Sequence, residues 1–286
     1  MRKRLKKRNL TPREMKDFEY EMATVGVPMC KSAEPPFGVL LKNSMVAVFD
    51  IMGFKAIIKQ MSSPGAMQQL AVTLNTSMTF AKSAGLLKRI FPKLKNTIVD
   101  HACDSQNNIK VYWFSDTIIL VKPDFRVGNV ADSLGFMELV VDAYNCMFEK
   151  GFALRGCIDY GDCLRCDKYN YLLGLPFVRA MQSAEGLDFM GLIINEGARA
   201  HLSSKVLKMY GGREIDVRVN KKDLDTRYCV NWLRATSATK FRKDAFKKKV
   251  DKVSQMHGKT INARVRNLNA NTVDAMAELM RKGGAE

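Results

Sequence analysis

The run Met45-Val46-Ala47-Val48-Phe49 is apolar without alternation, ends on Asp50 and is followed by Gly53. Such a run predicts a strand buried on both faces, one that carries a carboxylate at its own end. Burying an ionised carboxylate is costly unless a cation or hydrogen-bond donors meet it, so Asp50 needs a partner. Two further short apolar runs flank Ser115 and Asp116 within Tyr112 to Val121. They predict a hairpin over Ile109 to Val121 with an acid at its tip.

Helical periodicity accounts for most of the rest. A short helix is predicted from Phe54 to Met61, cut by Ser62-Ser63-Pro64-Gly65, and a second from Ala66 to Ile90 with Leu70, Leu74, Met78, Ala81 and Leu86 on one stripe. A third, from Val130 to Lys150, turns Leu134, Met137, Val141, Tyr144 and Phe148 inward and stops at Gly151. Then come a strand from Phe152 to Asp162, a Gly-Pro turn opening a helix within Leu172 to Glu185, and a short buried strand from Met190 to Ile194. A helix from Glu196 to Leu207 and strands at Ile215 to Val219 and Tyr228 to Leu233 complete the folded part. Residues 238 to 282 are helical in pattern, with Phe241, Ala245, Val250, Val253, Ile261, Val265 and Leu268 at helical spacing and a fresh cap at Asn271 to Asp274. This order of hairpins and helices predicts an α+β fold, a sheet covered by helices in a split βαβ arrangement.

Charge divides the chain into three expected parts. Residues 1–13 carry seven basic groups and no acid, and residues 240–266 carry ten against Asp244 and Asp251, so +15 of the net +17 lies in the two ends. The expected parts are therefore a basic arm and loop (1–40), a folded domain (41–236) and a basic helical extension (237–286). The arm is either a contact for nucleic acid or an acidic partner, or a solubilising tail; it lacks the interleaved aromatics of a base-stacking surface. The extension is either a surface for RNA, DNA, a membrane or another helix, or a helix packed on its own domain or a dimer mate.

No apolar run reaches the roughly 18 residues that cross a bilayer, and the N-terminus lacks a secretory apolar segment, so a cytoplasmic protein is expected. Seven cysteines, odd in number and irregularly spaced, fit that compartment and argue against a disulfide scaffold. Cys163 and Cys166 form one CxxC pair with no second pair to complete a zinc site, and His101, His201 and His257 show no metal-ligand spacing.

Asp50 and Asp116 are the candidate chemistry. Carboxylates on neighbouring strand ends can hold one or two hard divalent cations, which in turn bind substrate phosphates. Taken singly, Asp50 could instead cap the helix that begins near Gly53, and Asp116 could start a turn. Backbone N–H groups of Met52, Gly53, Phe54 and Lys55 at a helix start suit phosphate oxygens, and Gly53 permits close approach.

FDIMGF (Phe49 to Phe54), FSDTIIL (Phe114 to Leu120), LRGCIDYGD (Leu154 to Asp162) and the spaced Gly174, Ala180 and Glu185 occur in an order that resembles the class III nucleotide cyclases. The chain is most similar to their compact bacterial branch, the pyrimidine cyclases of the Pycsar anti-phage system. The resemblance covers residues 45 to 235 and leaves both basic ends outside. It implies a ferredoxin-like catalytic domain, a homodimer with composite sites, and two Mg²⁺ or Mn²⁺ ions held by Asp50, Asp116 and the main-chain carbonyl of Ile51. It further implies in-line attack of the ribose 3'-hydroxyl on the α-phosphorus of a nucleoside triphosphate, giving a 3',5'-cyclic monophosphate and pyrophosphate. Purine cyclases of this class usually carry a base-reading lysine four residues before the second acid; Tyr112 stands there, which implies UTP or CTP as substrate. Their trans-acting asparagine and arginine fall on Val178 and Gln182, leaving Arg179 or Arg155 to supply positive charge. Arg155 could equally be a strand arginine paired with Asp159. The readings set against a pyrimidine cyclase are a purine (adenylate or guanylate) cyclase, a cyclase-like module without turnover that binds nucleic acid through its basic ends, and a palm-type polymerase or diguanylate cyclase. The last lacks GGDEF or GGEEF here.

Overall fold

The computed structural model describes residues 38–60, 108–166, 171–219, 223–235, 243–255 and 263–281. The expected arm at 1–13, the helix from Ala66 to Ile90 and the links on either side of the first C-terminal helix lie outside the described residues.

Eight strands form one sheet: β1 Val39–Ile51, β2 Lys110–Phe114, β3 Thr117–Lys122, β4 Leu154–Cys166, β5 Tyr171–Leu173, β6 Leu192–Ile194, β7 Arg213–Val219 and β8 Asp223–Cys229. They run in the order β2-β3-β1-β4-β6-β8-β7, with β5 beside β4. Among the described strands only the β4–β6 pair is parallel. The fold is thus α+β, one sheet flanked by helices, as its pattern of hairpins and helices predicts. Met45 to Phe49 are fully buried, so the unalternating run is a central strand covered on both faces.

Helices α1 (Phe54–Gln60), α2 (Val130–Glu149), α3 (Leu175–Gly186), α4 (Glu196–His201), α5 (Ser204–Met209), α6 (Lys243–Gln255) and α7 (Ala263–Arg281) complete the described elements. On one face of β1, Phe49 meets Tyr144 of α2 edge to face. The next residue, Asp50, projects to the opposite face, and there its partner Arg155 also reaches the end of α3.

Several boundaries differ from the pattern. The helix expected over Glu196 to Leu207 is two short helices, because Leu202 and Ser203 are extended and the Ser203 N–H donates to Ser133 Oγ of α2 instead of continuing the helix. The strand expected to reach Leu233 stops at Cys229; Trp232 enters a 3-10 turn and buries its ring against Tyr144 and Phe148. Asn271 to Asp274 caps nothing, for α7 runs through it. Those polar side chains dock the helix: Asn271 Nδ2 donates to Asp188 O, and Thr272 Oγ1 accepts from Met190 N. Helix α6 buries Phe246 and Val250 and exposes Lys247, Lys248 and Lys252.

Helix α2 buries acids as well as apolar residues. Glu138 accepts from the Tyr210 hydroxyl, yet burial still pushes its carboxyl up to about 7. Burial, with Glu138 alongside, pushes Asp142 up to about 8. Both ordinary values lie near 4, so across that window the folded protein binds protons that the unfolded chain has released. The stabilisation these two acids contribute is therefore full below about pH 4 and is lost as pH rises towards about 8. A melting-temperature profile should fall between pH 5 and 8 and flatten in Glu138→Gln/Asp142→Asn; equal slopes in both proteins would contradict this.

Candidate active site

The end of β1 is built from three strands in register. Asp50 lies opposite Thr117 of β3 on one side and opposite Arg155 of β4 on the other. Beyond it, the Ile51 N–H donates to the Asp116 carbonyl at 2.8 Å and the Met52 N–H to the Ala153 carbonyl at 2.8 Å. Gly53 then turns the chain at a φ of 73°, a left-handed conformation that costs glycine little, and α1 begins.

Asp116 sits at the tip of the β2–β3 hairpin, where Phe114 pairs with Thr117 and leaves a two-residue turn. Ser115 takes the left-handed conformation there, with a φ of 55°. Because the Asp116 carbonyl is bonded to Ile51, the tip is tied to the residue that follows Asp50. The two acids expected to act together thus belong to adjoining strand ends joined by a main-chain hydrogen bond. The Asp116 carboxylate is half-buried and takes no hydrogen bond or ion pair from another described residue. The Asp50 carboxylate is buried, and one of its oxygens receives Arg155 Nε at 2.6 Å.

Arg155 therefore does not pair with Asp159, the strand partner considered from sequence. Register decides the matter, since Arg155 faces Asp50 directly across the β1–β4 ladder. Asp159 is instead held by Arg179 of α3, with Nε at 2.8 Å and Nη2 at 3.0 Å, and by Asn195 Nδ2 at 2.9 Å. Arg179 meets β4 at Asp159, four positions beyond Arg155; its side chain is 48% exposed, on a helix that also exposes Val178 and Gln182. It does not meet Asp50 within one chain. Gly156 has a packing reason: a Cβ there would come within 2.6 Å of the Phe49 ring.

Among the proposed phosphate donors, Met52 is a correction. Its N–H is already committed to Ala153, which leaves the amides of Gly53, Phe54 and Lys55 at the helix start. Tyr112 is half-buried on β2, opposite Ile119 and two pairs back from the hairpin tip. Sequence reasoning missed Thr117, which is buried and level with Asp50, and the Asp159–Arg179–Asn195 network. Strand register places Thr117 level with Asp50, and the packing of α3 on β4 brings Arg179 to Asp159.

Among the described residues no group of three or more His, Cys, Asp or Glu side chains could hold a metal ion. The Asp50 carboxylate has one oxygen engaged by Arg155, and the Asp116 carboxylate takes no bond from another described residue, so both offer the oxygen chemistry that a hard cation takes.

No protein-family model matches the sequence, and no curated protein matches it significantly. Among solved structures, the fold is similar to an adenylyl cyclase from P. aeruginosa at 13% identity and a TM-score of 0.39, covering 72% of this chain and 98% of that one. A dimeric guanylyl cyclase domain from the fungus Blastocladiella emersonii matches at 14% identity and a TM-score of 0.42, covering 67% and 96%. An adenylate cyclase from Trypanosoma brucei matches at 10% identity and a TM-score of 0.42, covering 74% and 94%. No helix of the described residues is long and apolar enough to cross a membrane.

Proposed function

We propose that the protein is a nucleotide cyclase that converts a pyrimidine nucleoside triphosphate, UTP or CTP, into the 3',5'-cyclic monophosphate and pyrophosphate. The observation that carries this reading is the meeting of two strand ends: Asp50 is the last residue but one of β1, Asp116 tips the neighbouring hairpin, and the Ile51 N–H to Asp116 carbonyl bond ties their main chains together. The order of the four cyclase-like motifs supports it.

Asp50 and Asp116, with the Ile51 carbonyl, are the residues that would hold Mg²⁺ or Mn²⁺, two ions per site by resemblance. Bound there, such cations lower the pKa of the ribose 3'-hydroxyl and neutralise charge on the triphosphate. The amides of Gly53, Phe54 and Lys55 offer donors to phosphate oxygens at the start of α1. Tyr112 narrows the space for a base. Attack of the 3'-oxygen on the α-phosphorus then closes the ring as pyrophosphate departs, a reaction governed chiefly by positioning and charge. A homodimer follows from the resemblance; Val178, Arg179 and Gln182 are exposed on α3, and Arg179, although held by Asp159, keeps part of its guanidinium open to a second copy. A soluble cytoplasmic enzyme making a second messenger in anti-phage defence is the setting this reading favours.

Base choice tests the finer part. Tyr112→Ala is expected to lower the ratio of pyrimidine to purine turnover by about tenfold, since pocket filling discriminates by about 1–3 kcal/mol. Product formation from all four ribonucleoside triphosphates, compared between wild type and variant, measures that ratio. An unchanged ratio removes Tyr112 from base selection.

A further inference from the structure

One oxygen of Asp50 is engaged within the chain itself. Arg155 Nε donates to Asp50 Oδ2 at 2.6 Å, while Nη1 of the same guanidinium donates to the carbonyl oxygens of Glu185 and, at 3.3 Å, Leu187. Two carbonyls at the end of α3 thus fix the guanidinium, and the guanidinium meets the carboxylate. Both side chains are largely withdrawn from water, at 19% and 11% exposure.

Two effects of opposite sign bear on a cation sharing that carboxylate. Orienting Asp50 helps the cation, but freezing so short a side chain is worth only a few-fold. Placing a unit positive charge beside a dication opposes it, by more than about tenfold at a separation of about 5 Å even in bulk water, and by more in a partly dry site. Repulsion wins.

We infer that Arg155 is the resident counter-ion of Asp50 and keeps the affinity of that carboxylate for a bare divalent cation low. This rests on the reading that Asp50 and Asp116 hold the cation. Its consequence is that metal enters the site with the triphosphate, whose own negative charge offsets the guanidinium. Arg155 is then a positioning and charge-balancing residue for Asp50.

The test is Mn²⁺ binding to the full-length protein without nucleotide, followed by the paramagnetic signal of free Mn²⁺. Arg155→Gln should bind Mn²⁺ at least about tenfold more tightly than wild type, and Mn²⁺ should raise its melting temperature by more than it raises that of wild type. Equal or weaker binding overturns the inference. Arg155→Lys, which keeps the charge and is the gentler change, provides the second reading should the glutamine variant fail to fold. Its Mn²⁺ affinity should stay within about threefold of wild type, whereas a shift of tenfold or more overturns the inference. Asp116→Ala separates the two levels of the argument. If it leaves Mn²⁺ binding to Arg155→Gln unchanged, the cation-site reading itself fails; if it removes that binding while Arg155→Gln is no tighter than wild type, only the counter-ion assignment fails.

Discussion

Asp116→Ala is expected to lower cyclic nucleotide formation by about 1,000-fold or more, because a cation's several kcal/mol of charge stabilisation at the transition state is lost with one of its two carboxylates. The fold should survive. Asp116 lies in a two-residue turn, its side chain takes no bond from another described residue, and its carbonyl, the group that holds the hairpin to β1, is untouched by the substitution. A steady-state assay alongside a thermal melt separates the outcomes. Retention of more than a tenth of the activity would take Asp116 out of the reaction. Loss of activity together with a collapse in melting temperature would make its role structural.

Trp232→Ala should be the most damaging single change to stability. The ring is fully buried, with its centroid 4.6 Å from that of Tyr144, 4.9 Å from that of Phe148 and 6.0 Å from that of Phe246. Truncating a buried tryptophan typically costs about 3–5 kcal/mol, much of the net stability of an ordinary domain. Because Phe246 belongs to α6, the same cavity should loosen the first C-terminal helix from α2. The denaturant midpoint checks the first statement, and hydrogen exchange over residues 243–255 the second. A loss under 1 kcal/mol would mean that the 3-10 turn repacks around the gap.

These two residues also mark how far the sequence can be read. The place of Asp116 at a hairpin tip was legible, because short apolar runs flank it at turn spacing; its chemistry was not, since an acid there can equally start a turn. The central strand was legible too: five apolar residues without alternation leave no face for water. Trp232 was misplaced into a strand because Tyr228 to Leu233 is apolar enough to extend one, and only the tertiary pocket made by α2 and α6 draws the chain into a turn. The partner of Arg155 was illegible in principle. Asp159 lies close in sequence and Asp50 lies 105 residues away, and what joins Arg155 to Asp50 is strand register, which no local pattern encodes. Likewise Asn271 and Thr272 read as a cap by composition, yet they spend their hydrogen bonds on Asp188 and Met190 across the helix–sheet contact.

The most direct measurement is product analysis after incubating the purified protein with each of ATP, GTP, CTP and UTP in Mg²⁺ or Mn²⁺. The account predicts a 3',5'-cyclic monophosphate from UTP or CTP, with one pyrophosphate released for each cyclic product. No cyclic product from any of the four, with either metal, would contradict it.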